Sequence, residues 1–489
     1  MQIVKRLLYK CKISCKEANI KILIFVSFCI LKLMFGGFKM FDLLIRNGKI
    51  VTKDSVFHGH IGIKNEKICA IFHGEIDENA EEVIDVGGKY IFPGAIDCHA
   101  HLNDPGYTWR EDYEHGSEAA AVGGITTIID MPLQNKPALT DGRIFNDKKK
   151  AVKNKSIVDY AFLGGLVHAN KENIKELHKE GVVGFKSFIG PVSTDYRSLN
   201  IGEARYILNI MKELNCVTGF HCEDYSIIKF EEERALTEGR VSRKDYLNAR
   251  PLEAELIATK NIIDLCRETK SKIHICHVSH PDVAEEIKKA KEEGLNITAE
   301  TCPHYLVFTE DDFLEKGTLF KCAPPLRSKD AKEKLWNYVV DGTLDCIGSD
   351  HSPAEKGEKC EEELGVFGAW GGISGLQSLV MVMISEGINN RRLSPTIIAR
   401  ILSYNPAKIF NLEKKKGAIE CGYDADFTIV DLDKEWEITA DSLKYKNKIS
   451  AFTGLKGKGA PICTIVRGKI VSENEHITIH HGYGNLIKK

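Results

Sequence analysis

The sequence predicts an α/β chain with a (β/α)8 barrel at its centre and a small β-sandwich domain built from both ends. Three patterns carry this expectation. Eight short apolar runs recur between residues 91 and 351, amphipathic helical stretches separate most of them, and short β-like segments with little helix fill both flanks. Alternating strand and helix implies parallel strands joined by crossover helices. Eight repeats over about 250 residues suit a closed barrel. An open doubly wound sheet is the alternative, but no glycine-rich phosphate fingerprint follows the first run.

Each part can be justified in chain order. Residues 1–39 carry seven Lys, one Arg (Arg6) and one acid (Glu17). Lys21 and Lys32 bracket only ten uncharged residues, short of the roughly 20 that span a bilayer, and no small-x-small cleavage site follows. We expect the folded chain to start at Met40, with 1–39 an over-extended gene start; a membrane-targeting segment is the alternative. Residues 40–90 form the first part of the β-sandwich, with two strands turning at Asn47-Gly48, then strands over 60–63, 67–72 and 83–86. The barrel covers 91–414. Its strands are expected at 91–101, 126–131, 158–166, 181–189, 217–223, 272–278, 296–304 and 345–351, with helices such as 252–269 and 282–293 between them. The second sandwich part spans 415–480, with strands at 426–430 and 462–471, and 481–489 is a C-terminal tail.

Composition narrows the function classes. Of 489 residues, 43% are apolar and 28% charged, which excludes a disordered, collagenous or multi-span membrane chain. The 67 basic and 69 acidic side chains leave a net charge of −2, with no basic excess to hold nucleic acid. Fifteen cysteines are scattered with no C-x-x-C pair, as expected for reduced thiols in the cytoplasm.

The polar residues on the strands carry the chemistry. His99 and His101 in Asp97-Cys98-His99-Ala100-His101 share one strand face and can chelate one cation. Two hydrogen-bonded core histidines would look the same. Lys186 lies within Gly184-Phe185-Lys186-Ser187-Phe188, where a buried ammonium needs a partner; a lysine reaching solvent from the strand end is the plain reading. His221, His277 and Asp350 fall towards the ends of three further runs, the face where barrel active sites are built. Five strands sending potential ligands to one rim point jointly to a metal centre of the zinc type.

These positions resemble the amidohydrolase superfamily and its cyclic-amidohydrolase branch, over about Met40 to the mid-470s. The likeness is strongest to the allantoinase family, in 120–133, in Glu300-Thr301-Cys302-Pro303-His304-Tyr305-Leu306, in Lys321-Cys322-Ala323-Pro324-Pro325-Leu326-Arg327, and in 369–377. The resemblance implies metal ligands His99, His101, Lys186, His221, His277 and Asp350, and two divalent ions, zinc by expectation, bridged by an N6-carboxylated Lys186. His99, His101 and Asp350 would hold the more buried ion, and His221 and His277 the more exposed one. Such a pair acidifies water and polarises an amide carbonyl, with Asp350 as general base and then acid. The implied reaction is hydrolysis of a cyclic ureide, allantoin to allantoate, by a homotetramer or homodimer without nucleic-acid partners.

Single residues separate the rivals in that branch. Dihydroorotases place an arginine two residues after the second histidine, where this chain has Asn103; an amide cannot make the bidentate grip on a carboxylate. Hydantoinases and dihydropyrimidinases place a tyrosine five residues beyond the lysine, where this chain has Pro191, with Tyr196 out of register. The stretch Gln134-Asn135-Lys136-Pro137 also departs from the Asn-Ser-x-Pro expected of allantoinases. Some relatives keep the fold as non-catalytic assembly scaffolds without the ligands; here all six ligand positions are filled. Asn103, Cys302, His304 and Ser374 are candidate substrate contacts. The acidic segment 354–367 reads as a solvated loop, with a mobile lid as alternative, and Lys148-Lys149-Lys150 as a solvated helix face.

Overall fold

The computed structural model describes residues 40–74, 80–167, 171–192 and 196–489. The expectations for 1–39 lie outside the described residues. Strands β1 (Phe41–Val51), β2 (Val56–Lys64), β3 (Lys67–Phe72), β4 (Ala80–Asp85) and β5 (Tyr90–Pro93) open the chain, and β14 (Phe427–Glu437), β15 (Lys456–Val466), β16 (Lys469–Glu473) and β17 (His476–Ile477) close it. They join in one nine-stranded sheet, ordered β17-β16-β15-β14-β5-β1-β2-β3, with β4 on β1. The β5–β14 pairing, Pro93 opposite Phe427 and Ile91 opposite Ile429, unites the two chain ends. Leu43, Ile45, Ile61, Ile63, Ile91, Phe427, Ile429 and Ile465 form its apolar core.

Two local expectations change. Asn47-Gly48 makes a bulge inside one continuous β1, not a hairpin turn. Asn47 alone is left-handed, at φ 58°, and one such residue adds a register step without reversing the chain. A Cβ on Gly48 would sit 2.1 Å from Ile91 Cδ1. The chain first reverses between β1 and β2 at 52–55, where Thr52 N donates to Ser55 O. A two-residue hairpin follows between β2 and β3 at Asn65-Glu66, where both residues are left-handed, at φ 50° and 65°, as such a hairpin requires. The 91–101 run divides as well: Tyr90–Pro93 stays in the terminal sheet and only Ala95–Ala100 enters the barrel. Gly94 is the crossing point, with room for no Cβ beside Thr126 and Asp426.

The barrel strands are β6 (Ala95–Ala100), β7 (Ile125–Asp130), β8 (Asp159–Gly165), β9 (Gly184–Phe188), β10 (Val217–His221), β11 (Lys272–Ile275), β12 (Ile297–Thr301) and β13 (Cys346–Ile347). They pair in sequence order, and the pairings are parallel. A bridge between Ala100 and His351 joins the last segment to the first. Helices pack outside. The helix Leu252–Thr269 buries Ala254, Ala258, Ile262 and Cys266, one side chain every four residues, as an amphipathic helix should. Lys148 is a correction: on Gly142–Val152 it continues the buried stripe of Ile144 and Val152, and its Nζ meets Asn135 Oδ1 at 2.8 Å and Asp130 Oδ2 at 2.5 Å.

A buried ionic joint ties barrel to sheet. Lys416 Nζ lies 2.5 Å from Asp159, 2.6 Å from Asp426 and 3.0 Å from Asp424. Arg467 pairs with Asp159 as well. The tail is part of the barrel: Tyr160 N donates to Asn485 O at 3.0 Å and Ile487 N to Tyr160 O at 2.7 Å. Among the described residues no helix is long and apolar enough to cross a membrane.

Candidate metal centre

The C-terminal ends of the barrel strands bring five sequence-predicted ligands to one cavity of about 320 Å³, lined by His99, His101, His221, His277 and Asp350. Alternation along β6 aims His99 and His101 the same way. Asp350 Oδ1 lies 3.3 Å from His99 Nε2 and 3.4 Å from His101 Nε2. Across the cavity floor His221 Nδ1 and His277 Nε2 stand 3.1 Å apart. The two groups meet between His99 and His277, whose ring centroids are 5.4 Å apart. His277 and Asp350 both have left-handed backbones, at φ 40° and 45°, conformations that non-glycine residues keep only where the surroundings hold them.

Lys186 is fully buried on β9, and its Nζ has no hydrogen-bond partner. Burial pushes the His277 imidazole well below its ordinary range, and the Lys186 charge and His221 push it further. Burial likewise lowers His221, with Lys186 contributing and Glu223 opposing. Burial alone would raise Asp350, but His99, His101 and His277 outweigh it and hold the carboxylate ionised. Neutral imidazoles at His221 and His277 and an ionised Asp350 are protonation states that ligate cations. His101 Nδ1 and His277 Nδ1 are buried without partners. The donor set fits divalent ions of the zinc type.

Two carboxylates behind the ligands escaped sequence analysis. Glu300 on β12 bonds His99 Nδ1 and lies 3.3 Å from His274 Nε2. Glu223 accepts from His221 Nε2 and from Arg250 Nη1, each at 2.8 Å. Burial would raise Glu223, but Arg250 and His221 pull it down to about 2. The available signal was an acid on or next to a wholly buried barrel strand, which must have a cationic or donor partner.

None of the four candidate substrate contacts is among the residues lining the cavity. Asn103 is buried behind it and donates to Gln134 Oε1 at 3.2 Å; Gln134, which does line the cavity, donates to Ser352 Oγ at 2.9 Å. Cys302 and His304 have side-chain atoms within 4.8 Å of the Asp350 carboxylate, and His304 has neither ring nitrogen partnered. Ser374 is buried, and its carbonyl accepts from Ser450 Oγ at 2.5 Å. Pro191 lines the cavity, while Tyr196 turns into the core and donates to Lys186 O at 2.6 Å.

The 354–367 segment forms a wall that is solvated in part, with Glu355, Glu362, Glu363 and Leu364 exposed, but it carries the helix Glu361–Gly368, and its Glu358, Lys359 and Glu361 are paired. Arg110 pairs with Glu358 and Arg243 with Glu361. Lys359 is enclosed and donates to the carbonyls of Thr318, Lys321, Trp370 and Gly372. Arg110 stacks 3.9 Å from the Trp370 ring centroid, and Trp370 lines the cavity.

Comparison with known proteins agrees with this geometry. The amidohydrolase family profile matches residues 90–471. Allantoinases of Salmonella choleraesuis (strain SC-B67) and Escherichia coli (strain K12) are each 38% identical, over 89% of this chain and 96% of the relative. L-Hydantoinase (dihydropyrimidinase) from Arthrobacter aurescens superposes with a TM-score of 0.90 at 33% identity, covering 92% of this chain and 100% of that one. Dihydropyrimidinase from Brevibacillus agri NCHU1002 gives 0.85 at 29% identity, over 91% and 98%.

Proposed function

The chain belongs to the amidohydrolase family and is a hydrolase of cyclic amides, and from that premise we propose that it opens the five-membered ring of allantoin to give allantoate. The observation that carries the reading is the convergence of four imidazoles and Asp350 on one small cavity, with the buried Lys186, whose Nζ has no hydrogen-bond partner, close enough for its charge to act on His221 and His277. Similarity to allantoinases over most of the chain supports the choice of substrate. A cavity of about 320 Å³ suits a small ring.

His99, His101 and Asp350 would hold one divalent ion and His221 and His277 a second, with zinc the favoured metal. Lys186 would join them as a carbamate, since carboxylation would turn a buried cation whose Nζ has no hydrogen-bond partner into an anion. When bound, two such ions lower the pKa of water and polarise a carbonyl. The chain supplies the rest. Asp350, held ionised by the surrounding histidines, takes a proton from the attacking water and returns it to the leaving ring nitrogen. The wall formed by Phe188, Pro191, Tyr246 and Trp370 holds the ring and limits competing water.

The test is turnover of allantoin, hydantoin, dihydrouracil and dihydroorotate by metal-replete protein. Allantoin should give the highest kcat/KM; faster turnover of any other substrate overturns the assignment. Asp350→Asn should lower kcat by about 10²- to 10⁴-fold. Lys186→Ala should lose bound metal and most activity, and retention of both would refute the two-ion centre. We place the protein in the cytoplasm as a homotetramer or homodimer. Exposed Tyr206, Tyr225, Phe230, Leu236 and Ile257 on three neighbouring helices support assembly, and a monomer by light scattering would refute that part.

A further inference from the structure

A metal-binding imidazole uses one nitrogen as ligand, and the group on its other nitrogen fixes tautomer and ring orientation. His221 shows that division. Its Nδ1 faces His277 Nε2 at 3.1 Å, and its Nε2 meets Glu223 Oε2 at 2.8 Å. The same carboxylate oxygen accepts from Arg250 Nη1 at 2.8 Å. Arg250 comes from another part of the chain, between the helices Arg243–Ala249 and Leu252–Thr269. Its Nε reaches Glu232 Oε1 at 3.2 Å, and its carbonyl accepts from Arg327 Nη1 at 3.1 Å. Arg250 and Glu232 both line the cavity. Glu223 is 1% exposed and Arg250 8% exposed. In contrast, the Nδ1 atoms of His101 and His277 have no partner.

We propose that Glu223 and Arg250 are a positioning pair that locks His221 with Nδ1 turned to the cavity and so sets how firmly the exposed half of the metal centre is held. The proposal rests on the two-ion reading above and deepens it. Glu223 keeps the proton on Nε2, leaving the Nδ1 lone pair free. Arg250 keeps Glu223 from being a buried charge with a single partner, and pins it from a loop that borders the substrate space. Glu300 serves His99 on the other side, so each half of the centre has one carboxylate-anchored histidine. Loss of one anchor should therefore affect one ion and spare the other.

The test uses zinc-loaded full-length wild type, Glu223→Gln, Arg250→Met and Arg250→Lys, dialysed against a chelator while bound zinc per chain is followed. Circular dichroism and melting temperature check the fold. Wild type should hold two ions. Glu223→Gln and Arg250→Met should release one of them about tenfold faster or more, within the range of such outer contacts, and keep the other. Arg250→Lys, which retains the charge, should recover part of the difference. Glu223→Gln preserves side-chain shape, so the proposal does not hang on whether Arg250→Met folds. Folded Glu223→Gln protein that releases both ions at wild-type rates, or loses both alike, overturns the pairing. A wild type that binds no zinc overturns the two-ion centre itself, which is a distinct outcome.

Discussion

His304 is buried just beyond β12, and neither of its ring nitrogens finds a partner. Burial pushes its imidazole down to about 4, so it is neutral at physiological pH. A buried polar group left unpaired costs about 1–3 kcal/mol and calls for an explanation; His304 does not line the cavity, and the charged group within its reach is the Asp350 carboxylate. His304→Leu should therefore leave the melting temperature unchanged or slightly higher, and should change kcat, through Asp350, more than KM. Unchanged kinetics would assign His304 to packing alone. At this scale the five side chains that meet at the cavity were legible because strand alternation and strand-end position act on single residues. Glu223, Glu300 and Arg250 were not, because their roles come from partners distant in the chain, and Lys148 was misread because a charged triplet hides which member faces inward.

The element that changes most between sequence and structure is the wall after β13. Its acidic run suggested solvation, yet Glu358 and Glu361 are spent on Arg110 and Arg243, and Lys359 gathers carbonyls from both sides of the segment. Lys359→Met should leave those carbonyls unpaired. We expect faster proteolysis within 354–372 and a higher KM, with the barrel's melting temperature lowered by only a few degrees; an unchanged cleavage pattern would show that the two arginine pairs suffice. The eight barrel runs were readable within a few residues because parallel strands buried on both faces are continuous apolar stretches. The split of the first run at Gly94 and the bulge at Asn47 were not, since each depends on which distant strand the backbone meets.

For the molecule as a whole, the return of both chain ends to one β domain was visible in the pattern of short strands, whereas the joint between domains was not. Lys416 is held above its ordinary 10.5: burial works against its charge, but Asp426, Asp159 and Asp424 outweigh burial. A raised lysine contributes in full below pH 10.5 and is lost only above it. Burial would raise Asp424, but Lys416 and Lys67 hold it below its ordinary 3.8, so its contribution is present above pH 3.8 and lost as pH falls further. Burial lifts Asp426 above its ordinary 3.8, which opposes the Asp424 trend at acid pH, so thermal stability from this joint should fall chiefly above pH 10.5, as Lys416 deprotonates. Lys416→Met, which leaves Asp426 without a cation while Asp159 keeps Arg467 and Asp424 keeps Lys67, should cost about 3–5 kcal/mol at neutral pH in denaturant unfolding; a loss under 1 kcal/mol would show that the domains hold by apolar contact. The ring itself has an uneven circumference. Between its first and last strands the bridge from Ala100 to His351, the bond from His101 N to His351 O, and the bonds from Ser349 N to Asp97 Oδ1 and from Ser349 Oγ to His99 O close the cylinder, and His99, His101 and Asp350 flank that seam. On the two-ion reading, an ion held by those three residues would also clasp this join, so stripping the metal should loosen the fold first at the place where the chemistry is done.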